Sequence, residues 1–144
     1  MMPRTTLRAK IEDRLAQGKA RKETTFLTRE FLDLGGSDQV IRVLRQLVKE
    51  LRLVKLGYGI YCTAFPSRVV PGKAASYAGL EAASRQALDK LNVPWEPSSW
   101  TKAYNEGRST QVPMNAVLRI NRRFRRNLSM EGKSLIQERG QPAL

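Results

Sequence analysis

Five polar side chains recur along one stretch of this 144-residue chain: Gln39, Arg42, Arg45, Gln46 and Lys49. Their separations of three and four place them together on one side of a helix. Arginine can donate two hydrogen bonds to guanine O6 and N7, glutamine can pair with adenine in the same way, and lysine and arginine meet phosphates as charges. The chemistry on offer is therefore donation and charge rather than bond making. Ser37 and Lys55 add phosphate donors on either side of the stretch, and Tyr58 sits in a following glycine turn. Arg42, one turn into the helix and facing outward, is expected to be the most sensitive of the set.

Bond-making chemistry lacks its parts. The chain has no histidine and one cysteine, Cys62, so Ser-His and Cys-His nucleophilic pairs and the usual zinc sites cannot be assembled. There is no phosphate-cradling G-x-x-x-x-G-K-[ST] and no G-x-G-x-x-G. Gly57-Tyr58-Gly59 is too short for either and belongs to a hairpin. The carboxylates are scattered without a metal-binding cluster. The expectation is a protein that is not an enzyme and uses no metal or cofactor, with Cys62, Trp95 and Trp100 read as core residues.

Bulk charge points the same way. Lys and Arg number 26 against 13 Asp and Glu, a formal +13. Residues 1–72 carry 14 basic and 7 acidic side chains, and residues 73–144 carry 12 and 6, so both halves are basic. Such an excess selects a polyanionic partner, nucleic acid before a membrane surface. No run approaches the roughly 20 apolar residues of a membrane span. Met1–Leu7 has no apolar stretch behind Arg4 to make a secretory signal. The expected location is cytoplasmic.

The elements that must hold these residues follow from periodicity. Leu7, Ile11 and Leu15 predict an amphipathic helix over 5–17, ended by Gly18, with a polar loop over 19–23. Thr25-Phe26-Leu27 reads as extended. Thr28 is expected to cap a short helix that carries Glu30 in its first turn and buries Phe31, Leu32 and Leu34. Gly35-Gly36 breaks it, and Ser37 is expected to cap the next helix, 37–51. There Val40, Ile41, Leu44, Leu47, Val48 and Leu51 form the apolar stripe, with the polar set off it. Residues 53–56 and 60–63 read as two strands around Gly57-Tyr58-Gly59. Two helices joined by a glycine turn and followed by a hairpin make a winged helix-turn-helix, the hairpin being the wing.

Pro66 and Pro71-Gly72 mark a boundary. The expected organisation is a winged helix-turn-helix DNA-binding domain over 1–70 and a small α+β C-terminal domain over 71–144, ending in antiparallel strands. In the second half, Tyr77, Leu80, Ser84, Ala87, Leu88 and Leu91 predict a helix over 74–91. Residues 92–97 read as extended because Pro94 and Pro97 disfavour helix before them. A short helix over 99–105 carries Trp100 and Tyr104 a turn apart. Val117–Asn121 reads as a strand, and Phe124–Met130 with Ser134–Glu138 as a hairpin closed at Glu131-Gly132.

A second basic patch falls near that strand: Arg119, Arg122, Arg123, Arg125 and Arg126, grouped around Phe124. Arginines around an aromatic can grip a phosphate backbone, with the ring stacking on a base. In a strand, though, Phe124 points to the core while Arg123 and Arg125 share the other face. An acidic protein partner, or a charged edge strand guarded against aggregation, fits the same residues.

Across most of its length the chain resembles the AbiE-type antitoxins of bacterial type IV toxin–antitoxin systems, in particular short winged-helix members. The resemblance is carried by Leu7–Leu15, by Thr25–Gly35, by Val43–Glu50 and by Leu53–Tyr61 with its Gly59-Ile60-Tyr61 ending. It continues in Pro94-Trp95-Glu96-Pro97-Ser98 and Ser109-Thr110-Gln111-Val112-Pro113, ahead of an arginine-rich terminal β-region. It implies a transcriptional regulator that binds double-stranded DNA at its own promoter, with a nucleotidyltransferase-type toxin as functional partner. Two other readings compete. One is a protein-interaction module whose basic C-terminal half docks an acidic partner or toxin. The other is an architectural or RNA-binding protein with little sequence preference. The pattern suits a monomer, or a dimer on a palindrome, equally well.

Overall fold

A computed structural model describes residues 6–99, 102, 106–107, 116–120, 124–130 and 132–139. The fold is α+β. Helix α1 (Leu7–Ala20) leads into strand β1 (Thr25–Leu27), a 3₁₀ turn (Thr28–Phe31) and helix α2 (Ser37–Lys49). Strands β2 (Leu53–Gly57), β3 (Ile60–Pro66) and β4 (Ala74–Ser76) follow, then helix α3 (Leu80–Lys90) and strands β5 (Trp95–Pro97) and β6 (Val117–Ile120). The described chain ends in β7 (Ser129–Met130), β8 (Lys133–Ser134) and β9 (Ile136–Arg139).

Strand β3 organises the molecule. It pairs antiparallel with β1, β2 and β4, and residues 60–64 are buried on both faces. Because strand side chains alternate, its neighbours sort into two cores. On one face Tyr61, Phe26 and Leu53 meet Ile11 of α1, Phe31, and Val40, Leu44 and Leu47 of α2. On the other, Ile60, Cys62, Leu27 and Leu56 meet Ala83, Ala87 and Leu88 of α3, together with Leu118, Ile120, Leu128, Met130 and Leu135. Residues from both sides of position 70 thus build the second core. Cys62 is a buried core residue whose thiol donates to the Thr63 carbonyl at 3.7 Å.

Several local expectations need correcting. Gly18 does not end α1, which runs on to Ala20. A Cβ at Gly18 would lie 2.4 Å from Phe26 Cζ, so the missing side chain admits the phenylalanine ring. The helix closes instead at Arg21 and at Lys22, whose φ is +62°. The second helix is a single 3₁₀ turn that Thr28 begins rather than caps. Glu30 accepts the Leu27 N–H at 2.7 Å, and Leu32 is exposed instead of buried. Gly36, not Ser37, is the N-cap of α2, and no side chain caps it. At the other end of α2, Leu51 takes the left-handed conformation (φ +63°), with its N–H on Val48 and that of Arg52 on Leu47. This closing turn delivers the chain straight into β2.

The second half departs further. Residues 74–76 are a strand paired to β3 rather than the start of a helix, and α3 begins only at Leu80. Tyr77 is half exposed, its ring 4.9 Å from that of Phe65. Residues 124–128 are not strand; the hairpin is the short β7–β8 pair. The terminal strand β9 pairs parallel with β6, against the expected antiparallel ending, while β5 pairs antiparallel with β6. Ser99 and Lys102 are helical, whereas Trp100, Tyr104, the Ser109–Pro113 stretch and Glu131 lie outside the described residues.

Candidate nucleic-acid interface

Helix α2 exists because its apolar residues recur at helical spacing, with Val40, Leu44 and Leu47 sealed against β2 and the 3₁₀ turn. That burial fixes which side faces out. Arg42, Arg45 and Lys49, at i, i+3 and i+7, share the outward face with Gln46, and Gln39 flanks it near the start. All five are exposed, as is Ser37 in the first turn. A shallow groove on this face is lined by Asp38, Ile41, Arg42, Arg45, Gln46 and Lys49. Two of its residues, Asp38 and Ile41, were not among the expected site residues. Ile41, expected in the apolar stripe, is half-buried on its shoulder.

The β2–β3 hairpin stands beside this helix. Gly59, at φ +69°, makes its tight turn and leaves Tyr58 84% exposed at the tip. The Lys55 ammonium lies 5.9 Å from the Tyr58 ring centroid, a loose cation–π approach. Thr28 ties the turn down, its N–H donating to the Gly59 carbonyl at 2.9 Å. The hairpin is thereby braced against the turn that precedes α2.

Among the described residues, no ion pair engages Arg42, Arg45, Lys49 or Lys55. Five carboxylates are engaged away from this face. Glu50 and Glu12 hold Arg8 at 2.6 Å each, Asp33 holds Arg14 at 2.7 Å, and Glu23 and Glu30 converge on Lys90. The Arg8 and Arg14 guanidiniums, by hydrogen bonding, hold the Glu50 and Asp33 carboxyls below the usual carboxylate range. Behind the α2 face, burial pushes the Tyr61 phenol upward, with the nearby Arg45 charge opposing it. Asp38 is the one acidic residue lining the groove among the described residues.

The second patch is dispersed. Arg119 lies 3.4 Å from Glu96, which Lys102 also approaches at 3.1 Å. Phe124 is half-buried and packs against the core. Arg125 and Arg126 are exposed, while Arg122 and Arg123 lie outside the described residues. No group of three or more Cys, Asp or Glu side chains able to hold a metal occurs among the described residues. No described helix is long and apolar enough to cross a membrane.

Residues 10–137 match DUF6088, a family of unknown function. The chain belongs to that family. Comparison with curated proteins and with solved structures gave no match. The family match spans α2, the hairpin and the segment holding Arg125 and Arg126, so all three lie within the part that this DUF6088 member shares with its family.

Proposed function

We propose that the protein is a sequence-specific, double-stranded DNA-binding regulator that uses a winged helix-turn-helix. In this reading the 3₁₀ turn and α2 form the helix-turn-helix, α2 enters the major groove, and the β2–β3 hairpin is the wing. The supporting observation is the exposed cationic face of α2, which no ion pair engages among the described residues, while Glu12, Glu50, Asp33, Glu23 and Glu30 pair with cations of other elements. A B-form major groove admits one α-helix, and Arg42, Gln39 and Gln46 carry the side chains that read purine edges. Ile41 offers an apolar surface to a thymine methyl. Lys49, Lys55, Arg45, Ser37 and Tyr58 serve the backbone.

The resemblance to AbiE-type antitoxins extends the proposal to autoregulation at the protein's own promoter, alongside a nucleotidyltransferase-type toxin. Fluorescence anisotropy with duplex from upstream of the gene, a scrambled duplex and a salt series tests the DNA reading. A preference for the upstream duplex of roughly 10³-fold or more is expected. Equal, steeply salt-dependent binding to both duplexes would overturn it. Co-expression with a neighbouring toxin gene tests the antitoxin extension, growth rescue being the expected result.

A further inference from the structure

We infer that the backbone segment at Arg125-Arg126 is a third contact with the same duplex, extending the surface of α2 and the hairpin along the phosphate backbone. The inference rests on the DNA-binding reading. Its carrier is a close approach at the turn end of the hairpin. A Cβ on Gly57 would lie 3.1 Å from the Asn127 carbonyl oxygen and 3.2 Å from Leu128 Cδ2, so glycine there lets the later segment lie directly on the strand. Gly57 is next to Tyr58, and Asn127 is next to Arg126. Covalent geometry then keeps the Arg126 and Tyr58 Cα atoms within about 15 Å of each other. A few phosphates along one strand cover that distance, at 3.4 Å of rise per nucleotide.

The segment is anchored on both sides of the arginines. Phe124 packs into the core before them, and Leu128 is fully buried after them. Leu135 donates its N–H to the Leu128 carbonyl at 2.7 Å, and Gln137 Nε2 donates to the Arg126 carbonyl at 3.0 Å. Between these anchors Arg125 and Arg126 are exposed, and no ion pair engages either among the described residues. Two free guanidiniums on a fixed backbone beside an exposed wing suit phosphate, because the backbone geometry needs no ordering on binding. Base reading would belong to α2, so this contact adds affinity without adding sequence preference.

The test compares Arg125→Gln/Arg126→Gln with the wild type on a short fluorescein-labelled duplex of arbitrary sequence, titrated across a salt series. Each lost phosphate contact lowers the slope of log K against log salt by about 0.9. The expected result is a slope reduced by about 1–2, with Arg125→Lys/Arg126→Lys retaining it and thermal unfolding unchanged in both. The matched control Arg21→Gln/Lys22→Gln, which removes the same charge from the end of α1, should leave the slope near wild type. Wild-type binding with an unchanged slope in the Arg125/Arg126 double variant overturns this inference and leaves the DNA-binding reading standing. An equal loss in the control overturns it too, by reducing the effect to diffuse charge. A single-stranded RNA arm that is weakened where the duplex arm is not reassigns the segment away from duplex DNA. Failure of the wild type to bind any duplex at low salt removes the DNA-binding reading itself.

Discussion

Helices α1 and α2 pack on the same face of the central sheet, and both carry arginines, yet the two sets are used differently. In α1, Arg8 reaches Glu50 just beyond the end of α2, and Arg14 reaches Asp33 after the 3₁₀ turn. Arg14 also donates to the Glu30 carbonyl at 2.6 Å. These bonds link elements that are distant in sequence. In α2, Arg42, Arg45 and Lys49 are exposed, and among the described residues no ion pair engages them. The contrast separates two meanings of one net charge: cations that tie the fold together, and cations left over for a polyanion. Counting charges along the chain cannot make that division.

The largest expected effect breaks the α2 side of the comparison. Arg42→Ala should weaken binding to the preferred duplex by about 1–3 kcal/mol, some 5- to 150-fold, and relax base preference at one position. Its thermal unfolding should match wild type, because the side chain is exposed and unpaired. Anisotropy and circular dichroism together read both. A variant that loses stability but keeps affinity would place Arg42 among the structural arginines and remove the contrast.

On the α1 side, Gly18→Ala is expected to destabilise the fold by about 1–2 kcal/mol, since the new methyl overlaps the Phe26 ring and forces it to shift. Urea titration would show a lower midpoint at unchanged slope. DNA affinity, measured well below the unfolding transition, should hold. A neutral or stabilising outcome, as an ordinary helical Gly→Ala replacement gives, would show that the ring has room to move.

Asp38→Asn sharpens the comparison from within the groove. Asp38 faces the same side as Arg42 and would approach phosphate or a base edge as an anion. Removing its charge should tighten non-specific duplex binding a few-fold, while lowering stability by about 0.3–1 kcal/mol through loss of a favourable charge at a helix N-terminus. Weaker binding to the preferred duplex alone would mean instead that Asp38 accepts a hydrogen bond from a cytosine amino group.

The elements that present these residues were readable in the sequence where the signal is local. Helix α2 announces itself by Val40, Ile41, Leu44, Leu47 and Val48 at helical spacing, and the hairpin by two short apolar runs around Gly57-Tyr58-Gly59, while Leu51, the last residue of the expected stripe, falls in the turn after the helix. What escaped the sequence depends on distant partners. Gly18 carries the same signal as a helix-ending glycine, and only Phe26 packed against it tells the two apart. Residues 74–76 continue the helical pattern of α3 in composition, but pairing with Ala64, Phe65 and Pro66 makes them a strand. The parallel β6–β9 pairing joins residues about 20 positions apart, with no turn signal to set its direction. In the candidate site, the exposed polar face followed from periodicity alone. That its cations stand unpaired did not, because it depends on where Glu50, Asp33 and Glu30 find their partners. The second basic patch divided for the same reason, Arg119 turning to Glu96 while Arg125 and Arg126 stay outside.

The smallest effect is a pH dependence, and it belongs wholly to the α1 side. Asp33 and Glu50 have carboxyls held below their ordinary range by Arg14 and Arg8. A carboxyl depressed in the folded state contributes stability that is present above its unfolded pKa, near 4, and lost as pH falls through the lower folded value. Both pairs are solvent-exposed, so screening keeps the contribution slight. The thermal midpoint should therefore be level from neutral pH down to about 5 and fall below about 4. Arg14→Gln and Arg8→Gln should each make that fall shallower by raising the folded-state value toward the unfolded one. Arg45→Gln and Lys49→Gln should leave its steepness unchanged, since neither cation holds a carboxylate. If the α2 variants flattened the acid limb as much as the α1 variants, α2 cations would be tied to protein carboxylates in solution, and the division between binding and bracing charges would fail at its electrostatic root.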